Sequence, residues 1–194
     1  MACSKGAEAA THGTGEEPNP VSPVSITGTA DAFRQAMRHF ASSVTIVSTE
    51  DDGAMYGMTA TSVTSVSMAP PAILACVNQA AWFHQHISRK GAFCVNVLGF
   101  DHVSQCETFG GRGIGVDRFK ADEWREGHRA IPYFLDADTA IFCKVEQAVD
   151  HGTHTIFIGL VEQVIVKNEV NPLVYLDGGF MTLTRKQDFG SRRA

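Results

Sequence analysis

Apolar residues in this chain recur at two spacings, and the spacings divide it into elements. Phe33, Ala36, Met37 and Phe40 fall at i, i+3, i+4 and i+7, which predicts one face of an amphipathic helix. Strand-like runs then take over. Residues 43–49 (SVTIVST) are β-branched, and 55–67 read as strand, irregular turn and strand. Residues 72–77 form a short apolar run opened by Pro70-Pro71, and 93–98 form another. Between them, 81–90 predict a short helix stopped by Gly91. Residues 101–109 predict a second one, with Asp101 as N-cap. Residues 140–149 alternate, with Ile141, Cys143, Val145 and Val149 on one side. A hairpin turn at Gly152-Thr153 leads into 155–166, apolar on both faces in its first half. Residues 173–176 and 180–184 close the set.

Many strands and few, short helices predict a mainly β chain, an antiparallel barrel rather than a βαβ sheet. A strand apolar on both faces needs cover on both: from the core, and from either a helix of its own chain or a second subunit. Residues 1–28 carry Gly, Pro, Ser, Thr and Glu with almost no large apolar side chains, and predict a disordered arm. One domain over 29–184 and a basic tail at 185–194 complete the organisation.

Composition narrows the function. A chain of 194 residues with 44% hydrophobic content is long enough for a packed core. Its net charge of −5, from 16 basic and 21 acidic residues, argues against nucleic acid as a partner. No apolar run reaches membrane-spanning length, and the small, polar residues 1–14 are not expected to act as a secretory signal. The five cysteines, Cys3, Cys76, Cys94, Cys106 and Cys143, form no Cys-x-x-Cys pair, which predicts reduced thiols in a cytoplasmic protein.

The most informative segment is 57–67 (GMTATSVTSVS), mostly Gly, Ala, Ser and Thr. Small and hydroxylic side chains leave backbone N–H groups open to an anion or the edge of a polar ring. The same composition also suits an edge strand facing water. With 33–37 (FRQAM) and 43–49 before it, this segment resembles the short-chain flavin reductases, the reductase components of two-component flavin-dependent monooxygenases. The resemblance continues through 70–78 (PPAILACVN), 91–98 (GAFCVNVL), 117–119 (DRF), 152–154 (GTH) and 172–175 (PLVY).

That resemblance implies an FMN-binding split β-barrel, a homodimer, and noncovalent FAD or FMN reduced by NADH or NADPH, with the reduced flavin passing to a separate monooxygenase. It implies that Thr59, Ala60, Thr61, Ser62 and Val63 line the isoalloxazine and ribityl chain, with Ser65 and Val66 on the same wall. Asn78, Ala81 and Trp82 would meet the ribityl and phosphate. Ser88, Arg89 and Lys90 are either phosphate ligands or a solvated helix end. Arg118, Phe119 and Phe180 are expected toward the nicotinamide; Phe180 can pack on a ring but has no hydroxyl. His154 is the expected catalytic residue, orienting the nicotinamide for hydride transfer, a step that needs orientation more than a proton. Its alternative is a turn histidine bonded to a backbone carbonyl.

Other constellations carry less. The His84/His86 and His151/His154 pairs lack Cys or carboxylate at zinc-site spacing, so no metal is expected. Gly111, Gly113 and Gly115 lack the strand before and the acidic partner after that a dinucleotide fingerprint needs, and read instead as a mobile loop over the site. Two rivals remain: a related split-barrel oxidase of a pyridoxine-type phosphate, and a non-catalytic flavin-binding electron carrier or sensor.

Overall fold

The computed structural model describes residues 28–111, 118–169 and 171–183. The expected arm, apart from Gly28, and the expected tail lie outside the described residues, as do Gly113 and Gly115. Twelve strands and three α-helices are described. Five strands stand outside the main sheet: β1 (Ser42–Ser43), β7 (Trp124–Glu126), β8 (Pro132–Phe134), β11 (Val174–Leu176) and β12 (Gly179–Met181). The other seven are β2 (Thr45–Asp51), β3 (Ala54–Ala60), β4 (Val63–Met68), β5 (Pro71–Asn78), β6 (Ala92–Val97), β9 (Thr139–His151) and β10 (His154–Val166). They form one antiparallel sheet in the order β3-β2-β6-β9-β10-β5-β4.

The outer strands of that sheet, β3 and β4, are consecutive in the chain and linked only by Thr61 and Ser62. Such a link spans at most about 11 Å. The two edges therefore come together, and the sheet curls into a barrel that is split at this seam. Thr45 Oγ1–H donates to Ala60 O at 2.7 Å, and Cys76 N–H donates to Ser62 O at 3.0 Å, which holds both sides of the seam. This is the mainly β split barrel expected from the sequence.

Val47, Ala75, Val77, Phe83, Ile87, Phe93, Val95 and Phe157 form the largest buried cluster. Each large side chain withdrawn from water contributes about 1.5–3 kcal/mol. A second cluster, richer in aromatics, joins Phe109, Phe119, Trp124 and Phe134 to Leu98 and Leu173. The hairpin β7–β8 that supplies Trp124 and Phe134 was not legible in the sequence, because strands of three residues leave no periodic signal.

The helices are α1 (Thr29–Met37), α2 (Trp82–Lys90) and α3 (Val103–Gly110). Gly91 ends α2 at φ +65°, the left-handed position that favours glycine. Helix α1 ends at Met37, short of the expected Phe40, and buries none of its residues; Phe33 is 65% exposed and Phe40, beyond the helix, 62%. The N-cap of α3 is His102, not the expected Asp101. Gly99 N–H donates to His102 Nδ1 at 3.0 Å and His102 N–H to Gly99 O at 3.0 Å, closing a turn with Asp101 inside it. Val149 also departs from its expected face. Gly159 pairs with Val145 and Ile158 with Gln147, so Glu146 is bulged and the alternation reverses beyond it. Phe157 is buried, whereas Ile156 and Ile158 on the other face of β10 are only half-buried.

Candidate active site

A ligand site cannot lie in the barrel interior, which side chains fill. A cavity of about 690 Å³ opens instead outside it, between β3, the β5–α2 junction and the end of α3. Tyr56, Gly57, Met58 and Thr59 supply the β3 wall, a free sheet edge with unpaired backbone groups. Asn78, Ala80, Ala81, Trp82 and Phe83 supply the second wall, and Phe109, Gly110, Gly111 and Arg118 the third.

Each wall is held for a local reason. A Cβ on Gly57 would lie 3.0 Å from Phe109 Cε1 and 3.2 Å from Phe119 Cζ, so any larger residue would push on α3 and the Phe119 ring. Thr59 Oγ1–H donates to Cys106 O at 2.7 Å and pins the same two elements. Ala80 N–H donates to Asn78 Oδ1 at 2.9 Å, folding the turn that starts α2. Tyr56 stacks on His86 with ring centroids 3.4 Å apart, and His86 Nδ1–H donates to Asp51 Oδ2 at 2.7 Å. The guanidinium of Arg118 lies 5.9 Å from the centre of the Phe109 ring.

Five of the residues expected from the sequence meet in this cavity: Thr59, Asn78, Ala81, Trp82 and Arg118. Ala60 points into the barrel and Val63 packs against its core. Thr61 and Ser62 are exposed at the seam, and Ser65 and Val66 are exposed on the edge strand β4. His154 is exposed and pairs with Asn78 across β10 and β5, opposite the buried Thr155 and Val77. Its Nδ1 lies 2.9 Å from Thr153 Oγ1, so its ring meets a hydroxyl rather than a backbone carbonyl.

Five further expected residues stand outside this cavity. Arg89 Nε–H donates to Asp51 Oδ2 at 2.7 Å and Lys90 pairs with Glu50, so both cations at the end of α2 have a carboxylate partner. The hydrogen bond from His86, and then Arg89, hold the Asp51 carboxyl below the usual carboxylate range. Ser88 spends its hydroxyl on His84 O at 2.8 Å. Phe119 is buried against Phe109 and Trp124, and Phe180 packs edge-on to Tyr175.

Burial raises the Cys94 and Cys106 thiols and pushes Cys143 up to about 12, which leaves them unreactive at neutral pH. Cys76, Cys94, Cys106 and Cys143 are unbridged. Among the described residues, no cluster of His, Cys, Asp and Glu could hold a metal, and no helix is long and apolar enough to cross a membrane.

The cleft suits a planar ring: aromatic walls, backbone exposed at Gly57, Gly110 and Gly111, and few polar groups. Residues 37–184 match the family described as flavin reductase like domain. The chain belongs to the flavin reductase family. It is 37% identical over 150 residues to the reductase component of an FADH(2)-dependent resorcinol hydroxylase from Rhizobium sp. (strain MTP-10005), covering 76% of this chain and 84% of that one. It is 36% identical over 165 residues to an FMN reductase (NADH) of Methylorubrum populi, covering 85% and 82%. A solved NADH:FAD oxidoreductase of Streptomyces globisporus superposes with a TM-score of 0.78 at 28% identity, covering 86% of this chain and all of that one. The expected family, fold and enzyme class, an oxidoreductase of the flavin reductase type, therefore stand.

Sequence reasoning missed half of this flavin reductase's cleft. Tyr56, Gly57 and Met58 sit on the same strand as Thr59, and the signal was available: Gly57 and Met58 open the recognised 57–67 run, of which only Thr59 onward was assigned to the flavin. Phe109 and Gly110 carried no local signal, since only the fold brings the end of α3 to β3.

Proposed function

We propose that this flavin reductase passes hydride from NADH to FMN or FAD in the cleft between β3, α2 and α3, and releases the reduced flavin to a separate monooxygenase. The observation that carries the reading is the convergence of Thr59, Asn78, Ala81, Trp82 and Arg118 on one cavity whose other lining residues are Tyr56, Phe83, Phe109, Met58, Ala80 and three glycines. Bound flavin supplies the hydride acceptor. Thr59 and the backbone of the 60–63 seam meet its ring system, with Ser65 and Val66 further along the same wall. Asn78 and the first turn of α2 meet its side chain, and Arg118 offers a cation to phosphate or carboxamide. His154, one strand over from Asn78, orients the nicotinamide.

The protein acts as a homodimer in this reading. Supporting it are the uncovered Phe33 and Met37 on α1 with Phe40 just beyond it, and the outward, half-buried Ile156 and Ile158. Light scattering should give twice the monomer mass, and an active monomer contradicts the dimer. The unbridged cysteines accord with a cytoplasmic setting.

A fluorescence titration tests the flavin site. The wild type should bind FMN or FAD at micromolar concentration or below. Thr61→Arg should weaken that binding at least about tenfold, or about 1.4 kcal/mol. Unchanged affinity removes the 59–63 segment from the site.

A further inference from the structure

Thr155 has a buried side chain just inside the hairpin that carries His154, on the opposite face of β10. Its hydroxyl has one proton to give and two lone pairs to fill. Thr155 Oγ1–H donates to Asp150 Oδ1 at 2.6 Å, and a carboxylate only accepts. The two remaining neighbours must therefore donate to the hydroxyl. His84 Nε2 lies 2.8 Å away, so His84 carries its proton on Nε2, and Gln79 Nε2–H donates at 3.4 Å. Every hydrogen-bonding position of this hydroxyl is thus used.

The partners come from the segments that build the cleft. Gln79 follows the cavity residue Asn78, His84 follows Trp82 and Phe83 in the first turn of α2, and Asp150 precedes the 151–154 turn. Gln79 N–H also donates to Thr153 O at 3.0 Å. Rotation of the hairpin about β10 would break several of these bonds at once. We infer that Thr155 is a positioning residue, a buried hydroxyl that holds His154 at a fixed place beside Asn78 and the start of α2. This rests on the reading of His154 as the residue that orients the nicotinamide.

The test uses Thr155→Val, which keeps the shape and loses the hydroxyl, and Thr155→Ser, which keeps the hydroxyl. Affinity for NAD+ is measured by calorimetry with oxidised flavin present, alongside flavin affinity, thermal stability and steady-state kinetics. Thr155→Val should weaken NAD+ binding and raise the NADH KM about tenfold, leave flavin affinity within threefold, and leave kcat within twofold. Thr155→Ser should restore both nicotinamide constants to within threefold of wild type. Nitrogen NMR should show the His84 Nε2–H signal in wild type and Thr155→Ser, and lose its protection from exchange in Thr155→Val. In a His154→Ala background, Thr155→Val should add less than threefold, because both changes act through one imidazole.

Unchanged NAD+ affinity in Thr155→Val overturns the inference, as do additive effects in the double variant or a parallel loss of flavin affinity. Failure of Thr155→Ser to rescue a folded protein overturns it too. If His154→Ala alone leaves NAD+ affinity and the NADH KM unchanged, the assignment of His154 fails, and this inference falls with it. If His154→Ala is impaired and Thr155→Val is not, only the inference fails.

Discussion

On one side of the cleft, Phe109 lies against Gly57, Phe119 and Trp124, and hydrocarbon contacts carry most of the joint between α3 and β3. On the other, the β5–α2 junction and the 151–154 hairpin are joined by hydrogen bonds through Thr155, Gln79 and His84. Dispersion and apolar burial are strong but indifferent to small rotations, whereas hydrogen bonds fix direction. A flavin ring needs a shaped slot; a nicotinamide must be aimed. In the proposed reading the first joint shapes the flavin slot and the second aims the nicotinamide.

The largest expected effect falls on the apolar wall. Phe109→Ala should cost about 3–5 kcal/mol of stability by urea unfolding, as for other buried aromatics. Gly57→Ala should cost about 1–3 kcal/mol by overpacking, and less once Phe109 is already alanine, when only the Phe119 contact remains. Full additivity of the two would break the account of that wall.

On the polar wall the expected effect is directional rather than global. His154→Ala should leave stability within about 0.5 kcal/mol of wild type, as for an exposed side chain. The NADH KM should rise about tenfold with kcat little changed, which marks lost uniform binding. A fall in kcat with unchanged KM would instead place His154 in the transition state.

The smallest effect concerns a polar tie remote from the cleft. Glu162, bulged out of β10, accepts hydrogen bonds from Arg129 Nη2 at 2.7 Å and His128 Nε2 at 2.9 Å. Arg129, and then His128, pull its carboxyl down from 4.5 to about 2. A depressed folded value stabilises the protein above the unfolded value and stops doing so as pH falls through the folded one. Glu162→Gln should therefore lower Tm by roughly 2–4 °C at pH 7, about 1 kcal/mol after solvent screening. The difference should close as pH drops from about 4.5 toward 2. A difference that persists at pH 2 would contradict a charge-based tie.

The strands and the cleft were unequally legible in the sequence. Period-two runs such as 140–145 and the turn at Gly152-Thr153 announce themselves, because neighbours in sequence share a sheet. The Glu146 bulge does not, since nothing in the local composition marks where the register slips. Thr59, Asn78 and Trp82 were legible through resemblance. The ion pairs that occupy Arg89 and Lys90 depend on Asp51 and Glu50, 38 and 40 residues away, and only the pairing of α2 against β2 reveals them. Phe109 was hidden for the same reason: its role depends on an absent side chain at Gly57.

The central claim is that this cleft brings a nicotinamide to a flavin. Anaerobic mixing of the protein with NADH and either FMN or FAD, followed at the flavin and NADH absorbance bands, tests it most directly. The account predicts one flavin bleached per NADH consumed, saturation with micromolar flavin, no NADH consumption without flavin, and slower bleaching in His154→Ala at low NADH. NADH consumed without flavin, or neither flavin reduced by the folded wild-type protein, would contradict it.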